Sequence, residues 1–194
     1  MGSRRLGRKR LYSLEKRGES LTASDLGMGV GASPMLVHAS RLRDGAEILT
    51  EIVLNLAPTG TDIKPGNSQA DGVIGVAGSK SEIASWTLAR FGHITGFEMM
   101  FVEVAANATA GFVSNLSLKQ SASSLNGGAN AGSDVLFDIA ATTVGIVEGA
   151  SIALGSAFDT TKANIYLTAD ASAAATKYTA GKIVLRISGI DDPT

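Results

Sequence analysis

The segment Ile48-Leu49-Thr50-Glu51-Ile52-Val53-Leu54-Asn55-Leu56 alternates along its length. One side carries Ile48, Thr50, Ile52, Leu54 and Leu56, and the other carries Glu51 and Asn55. An alternation of period two is the spacing of a β-strand with one buried face. The segment therefore predicts a strand, which ends at Ala57-Pro58-Thr59-Gly60 because proline and glycine favour a turn.

Segments of the same kind recur along the rest of the chain. The most apolar is Ile94–Val104, which is hydrophobic on both faces except at Glu98 and Glu103 and is expected to lie centrally in a sheet. Further strands are predicted within 112–119, 135–140, 144–154, 163–169 and 183–188, joined by small-residue links at 105–111, 121–134 and 170–181. About eight or nine short strands with such links predict an all-β protein, an antiparallel β-sandwich of jelly-roll type.

One segment favours a helix. Ser79-Lys80-Ser81-Glu82 fits the capping-box pattern that begins many helices, and Ile83 and Trp86 follow three residues apart. A short helix is therefore predicted over 80–90. The alternative at its end is a strand over Trp86–Leu88.

The charge is unevenly distributed. Seven Lys and Arg residues oppose two glutamates in the first twenty residues, which gives +5, whereas ten basic and sixteen acidic residues in the other 174 give −6. The region from Ser20 to Pro34 is polar and rich in glycine, which is typical of an extended strap. These features predict two regions: a basic, glycine-rich extended arm over 1–45 and the β-sandwich over 46–194.

The basic arm is the candidate binding element. It could be a solvated tail, a phosphate-binding tail or a segment that docks on an acidic protein surface. Docking is favoured because apolar residues such as Leu6 and Leu14 alternate with the charges, which a phosphate-binding tail does not need. Nucleic acid stays an alternative partner. The predicted partner-binding residues are Arg4, Arg5, Leu6, Arg8, Lys9, Arg10, Leu11, Tyr12, Leu14, Lys16 and Arg17.

The sequence carries little that indicates catalysis. It has no cysteine, which excludes disulfides and thiolate metal sites, and its only histidines are His38 and His93. The stretch Gly27–Ala32 matches a dinucleotide fingerprint loosely, but no predicted strand precedes it. We therefore expect no enzyme, no catalytic residue, no metal and no cofactor. No apolar run has the length of a membrane span, so we expect no membrane partner.

The two ends and the texture of the chain resemble a protein family. Gly2-Ser3-Arg4-Arg5-Leu6-Gly7-Arg8-Lys9-Arg10-Leu11-Tyr12 at one end and Tyr178-Thr179-Ala180-Gly181-Lys182-Ile183-Val184-Leu185-Arg186-Ile187 at the other enclose a body rich in Ala, Gly, Ser and Thr. This combination resembles virion structural proteins of tailed bacteriophages, in particular small head-associated proteins of marine podovirus type.

The resemblance implies a function. Such a protein would decorate or cement a capsid, with a jelly-roll body on the shell and an arm that clamps neighbouring subunits. It implies the major capsid protein as partner, a homo-oligomer with a trimer favoured, synthesis in the host cytoplasm and a location in the virion. Two alternatives remain open: a head fibre or spike module that binds a host-surface glycan, and an internal head protein that binds nucleic acid through the arm.

Overall fold

A computed structural model describes residues 16–64, 72–107, 115–129, 135–140, 150–151, 158–169 and 177–191. The described residues are mostly β, with 58% strand and 9% helix, and their strands pair antiparallel, so the prediction of an all-β antiparallel fold is confirmed. The strands are β1 Lys16–Ser20, β2 Leu36–Asp44, β3 Glu47–Asn55, β4 Gly72–Val73, β5 Ala84–Ser85, β6 His93–Asn107, β7 Asn115–Ser121, β8 Val135–Ala140, β9 Ala150–Ser151, β10 Asn164–Ala169 and β11 Tyr178–Ile190. Two single-turn helices, α1 Ala23–Leu26 and α2 Leu88–Phe91, and a 3-10 turn Ser33–Met35 complete the described elements.

The strands form two sheets. The first has six strands in the order β1-β2-β3-β11-β6-β9, and the second has β4-β10-β7-β8, with β5 also paired to β10. The pairs are nested in the sequence: β3 pairs with β11, β4 with β10, β6 with β9, and β7 with β8. The chain from β3 to β11 is therefore arranged as one long folded-over hairpin whose successive pairs alternate between the sheets.

The core contains side chains from both sheets. In β3 the predicted face is buried, including Ile52 and Leu54, and β11 adds Ile183, Leu185 and Ile187 in register with it. The second sheet contributes to the same cluster through Leu116, Leu118, Ile165 and Leu167. The alternation in Ile48–Leu56 therefore identified the core face of β3 correctly.

Strand β6 is only partly as predicted. It is a long strand with Phe97, Met99 and Phe101 buried. However, it lies next to last in its sheet, and Val102 on its other side is 57% exposed. An apolar sequence on both faces did not mean burial on both faces, because nothing in the described part of the chain covers the second face.

The second sheet is buried on both faces at its centre. In β10 all residues from Ile165 to Ala169 are buried, and β7 is buried from Leu116 to Gln120. The loop after β7 covers the outer side: the Tyr166 hydroxyl accepts a hydrogen bond from the Leu125 N–H (2.8 Å) and donates one to the Ser123 carbonyl (2.9 Å).

Part of the region predicted as an arm over 1–45 is described. Strand β1 pairs with β2 over five residues, and β2 pairs with β3, so residues 16–20 and 36–44 are strands of the six-stranded sheet. The reason is the antiparallel hairpin of β2 and β3, which joins Asp44 to Glu47 across Gly45. Residues 1–15 of the predicted arm lie outside the described residues.

The glycines of the predicted strap have a different role from the one expected. A Cβ on Gly29 would lie 2.3 Å from the Lys80 carbonyl oxygen, and one on Gly31 would lie 2.4 Å from Ser81 Oγ. The Gly29 and Gly31 amides donate to the Glu82 and Lys80 carbonyls at 2.8 and 2.6 Å. Both glycines thus allow two backbones to touch, which needs the absence of a side chain.

The helix predicted over 80–90 is also wrong. The Ser81 and Ile83 amides donate to the carbonyls of Leu125 and Ile165, at 3.0 and 2.8 Å, so the Ser79–Glu82 segment does not begin a helix. The helical turn is limited to α2, where the Thr87 side chain accepts from the Arg90 amide. Contacts with distant segments satisfy the amides that a local helix would have used.

We predict that Gly31→Ala destabilises the fold. The new methyl group meets Ser81 Oγ at 2.4 Å and the Lys80 carbonyl at 2.9 Å, and overpacking of this kind costs about 1–3 kcal/mol. Urea unfolding followed by circular dichroism measures the loss. The matched control is Gly96→Ala, where nothing lies within 4 Å. An equal loss in both variants would show that the close approach has no role.

We also predict opposite outcomes for two buried tyrosines. Tyr166→Phe leaves the Leu125 N–H and the Ser123 carbonyl without their partner and should cost about 1–3 kcal/mol. The Tyr178 hydroxyl is buried and has no hydrogen-bond partner within the described structure, so Tyr178→Phe should be neutral or stabilising. Urea unfolding at pH 7 compares the two variants.

The stability that Tyr166 provides should depend on pH. Burial raises the pKa of Tyr166 from 10.0 to about 12, so the folded chain keeps a proton that the unfolded chain loses above pH 10. The stability that this shift provides is present below pH 10 and is lost as the pH rises towards 12. Tyr166→Phe should therefore lose less stability than the wild type between pH 9 and 11, and an unchanged slope would contradict the assignment.

Candidate functional site: the outer face of the six-stranded sheet

Of the predicted binding residues, the structure describes Lys16 and Arg17. Arg4, Arg5, Leu6, Arg8, Lys9, Arg10, Leu11, Tyr12 and Leu14 lie outside the described residues. Lys16 and Arg17 begin β1, opposite Asp44 and Arg43 in the register. Since β1 is the terminal strand of its sheet in the described chain, the basic segment 1–15 joins the body at that edge.

The six-stranded sheet has one core face and one outer face. We call outer face the side formed by residues of β2, β3, β11 and β6 that alternate with the buried ones. Its charged side chains are the acids Asp44, Glu47, Glu51, Glu98 and Glu103 and the bases Lys182 and Arg186. Lys16 of β1 stands opposite Asp44 in the register, so with it five negative charges oppose three positive ones and the net charge of this face is −2.

A row of three charges crosses the middle of the outer face. Arg186 donates from Nε to Glu51 at 2.9 Å and from Nη1 to Glu98 at 3.4 Å. The hydrogen bond to Glu51 is the main reason that the pKa of Arg186 is raised. The three side chains are 34–40% exposed, so the row is accessible to a partner. A second pair, Lys182 with Glu103 at 3.1 Å, lies on the same face.

An apolar patch lies beside this row at the β1 edge. Leu42 and Leu49 are cross-strand neighbours, 39% and 37% exposed, and Gly18 stands next to Leu42 in β1 without a side chain to cover it. They line a shallow groove of about 470 Å³, together with His38, Ser40 and Glu51 among others. The groove therefore combines apolar surface with carboxylate charge.

Arginines on the other side of β2 hold this edge in place. Arg41 bonds Glu19 of β1 and donates to the Arg90 carbonyl at 2.7 Å. Arg43 bonds Asp191 and donates to the Ala89 carbonyl at 3.2 Å. The two side chains thus tie β1 and β2 to the end of α2, which fixes the groove on a supported edge.

The described residues contain no group of three or more His, Cys, Asp or Glu side chains placed to hold a metal. His38 lies in the groove, whereas His93 opens β6 and is exposed. No helix of the described chain is long and apolar enough to cross a membrane.

Comparison with known proteins gives no relative. No protein-family model, no curated protein and no solved structure matches this chain.

Sequence reasoning did not find the outer face. The sequence feature that could have indicated this face is the polar side of each predicted strand, where Glu51, Glu98 and Arg186 alternate with core residues. Their meeting requires β11 to lie between β3 and β6, and Arg186 is 135 residues from Glu51. Local periodicity contains no information on such a pairing.

Arg186→Gln should destabilise the protein by roughly 1 kcal/mol at low salt, because it leaves two carboxylates facing each other across the row. Salt screens that repulsion, so the loss should shrink in 0.5 M NaCl. Lys182→Gln is the control, since it removes a single exposed pair and should change stability little. Urea is the denaturant, because guanidinium chloride is itself a salt and would screen the charges. An equal loss of stability in both variants would refute a special role for the row.

Proposed function

We propose that this protein is a structural component of a tailed-bacteriophage virion, which decorates or cements the capsid through its basic N-terminal segment. Its body would be a jelly roll that stands on the shell. Its partner would be the major capsid protein, and the virion would be its location. The observation that supports the proposal most is the strand order of the two sheets.

A jelly roll is a long antiparallel hairpin rolled into two four-stranded sheets. Nested pairing of β3 with β11, β4 with β10, β6 with β9 and β7 with β8 is the pairing that such rolling produces. The orders β3-β11-β6-β9 and β4-β10-β7-β8 within the two sheets support this topology. Jelly rolls are frequent in viral capsid proteins, and also in lectins and cupins.

The position of the basic segment favours a structural role. Residues 1–15 precede β1, which is added to the edge of the eight nested strands together with β2. A segment attached there can leave the body sideways towards a neighbouring molecule. Its five bases at Arg4, Arg5, Arg8, Lys9 and Arg10 would pair with carboxylates on the shell, and its leucines would bury apolar area.

A glycan-binding function receives less support. Sugar-binding surfaces usually present exposed aromatic rings. Of the aromatic side chains that the structure describes, Trp86 and Phe158 are the ones not fully buried. Their rings contact each other, with centroids 5.7 Å apart, and Trp86 donates to the Gly92 carbonyl at 2.9 Å.

Deletion of residues 2–15 tests the proposal, because it spares β1. Heads of the encoding virus, purified without this protein, are incubated with the full chain or the deletion variant and imaged by cryo-electron microscopy. The full chain should occupy regular sites, and the variant should show at least about a tenfold loss of occupancy. Its circular dichroism and unfolding midpoint should match those of the full chain.

Two further variants separate charge from length. Replacing the five bases from Arg4 to Arg10 by glutamine keeps the length and removes the charge, and replacing Leu6, Leu11 and Leu14 by serine keeps the charge. Both should reduce occupancy. Normal decoration of heads by the deletion variant would refute the clamp, and salt-sensitive retention of the full chain on DNA without binding to heads would favour a nucleic-acid partner.

A further inference from the structure

The outer face has a surplus of negative charge that its own cations do not neutralise. Arg186 and Lys182 engage Glu51, Glu98 and Glu103, and the face as a whole, with Lys16 opposite Asp44, keeps a net charge of −2. A row of half-exposed acids with one shared arginine repels polyanions and other acidic surfaces. The occupant that this face fits must therefore be cationic, and the groove between Leu42, Leu49 and Glu51 requires apolar groups as well.

One segment of this chain is both cationic and apolar. Residues 8–14, Arg8-Lys9-Arg10-Leu11-Tyr12-Ser13-Leu14, place three adjacent bases before three apolar side chains. Residues two apart in an extended segment are about 6.6 Å apart, and strands two places apart in a sheet about 9.6 Å. Arg8 and Arg10 can therefore address Glu51 and Glu98 together, while Tyr12 and Leu14, on the same side of the extended segment, lie over the leucines of the groove.

Geometry at the start of β1 favours another copy as the receptor. A segment that covered its own outer face would have to reverse direction next to Lys16. Between Gly7 and Gly18 the sequence has no Gly, Pro, Asn or Asp, and Ser13 is the single residue of a type that favours tight turns. Two copies pressed face to face would instead bring two surfaces with a net charge of −2 together, which is unfavourable.

We infer that the outer face is a receptor for the basic segment of a second copy of this chain, so that residues 8–14 of one molecule lie across β2, β3, β11 and β6 of another. The inference concerns self-association in solution. It does not require a capsid, so its failure would leave the decoration proposal untouched and the reverse also holds.

Complementation between two charge-reversed variants tests the inference. The arm variant carries Arg8→Glu, Lys9→Glu and Arg10→Glu in the full chain, and the face variant carries Glu51→Lys and Glu98→Lys. Sedimentation velocity and light scattering at low salt measure association. We expect the wild type to self-associate, each variant alone to have a dissociation constant at least about tenfold higher, and an equimolar mixture of the two to associate again.

The controls address folding and location. The lysines of the face variant could disturb the sheet, so Glu51→Gln with Glu98→Gln serves as a milder face variant. It should also weaken association. Asp62→Asn with Asp159→Asn removes the same charge from outside the outer face and should leave association unchanged. Association of the wild type should weaken in 0.5 M NaCl.

Three results would overturn the inference. The first is a wild type that stays monomeric at millimolar concentration, and the second is a face variant that associates as strongly as the wild type. The third is a mixture of two monomeric variants that does not associate, which would assign the segment to the face of its own molecule.

Discussion

The pairing of β3 with β11 is the constraint on which the structure depends. Nine residue pairs, from Lys182 opposite Asn55 to Ile190 opposite Glu47, hold two strands from opposite ends of the chain in register. On one side this ladder aligns the core residues of β3 with those of β11. On the other side it places Arg186 between Glu51 and Glu98. A slip of one residue would exchange the two sides, burying the charges and exposing the core.

The N-terminal region of the described chain packs against the body. The glycine-rich segment from Gly27 to Gly31 contacts the Lys80–Glu82 segment backbone to backbone, and Gly75 also lies against Ser81. Beyond it, β2 and β1 extend the six-stranded sheet past the eight nested strands. The groove therefore exists only because these added strands widen the face, and the basic segment is attached to the strand that forms the edge of the groove.

Sequence reasoning predicted what is local. The alternation of Ile48–Leu56 gave the strand and its buried side, and the apolar residues of 163–169 and 183–188 gave two more strands. It failed where a distant partner replaces a local one. Ser79–Glu82 has the composition of a helix start but bonds to Leu125 and Ile165, and Gly29 and Gly31 have the composition of a loop but are packing positions. The acidic row could not be predicted, because it needs the strand order.

The nested pairing of strands has a consequence for synthesis. The central ladder of the first sheet joins residues 47–55 with residues 182–190, so β3 has no partner on that side until almost the whole chain described here has left the ribosome. Folds dominated by such distant pairings form slowly, because loop closure must precede the contacts that reward it. The basic segment emerges before the acidic face, which is complete only when β11 has been made. Translation order thus separates the basic segment in time from the finished outer face of its own molecule.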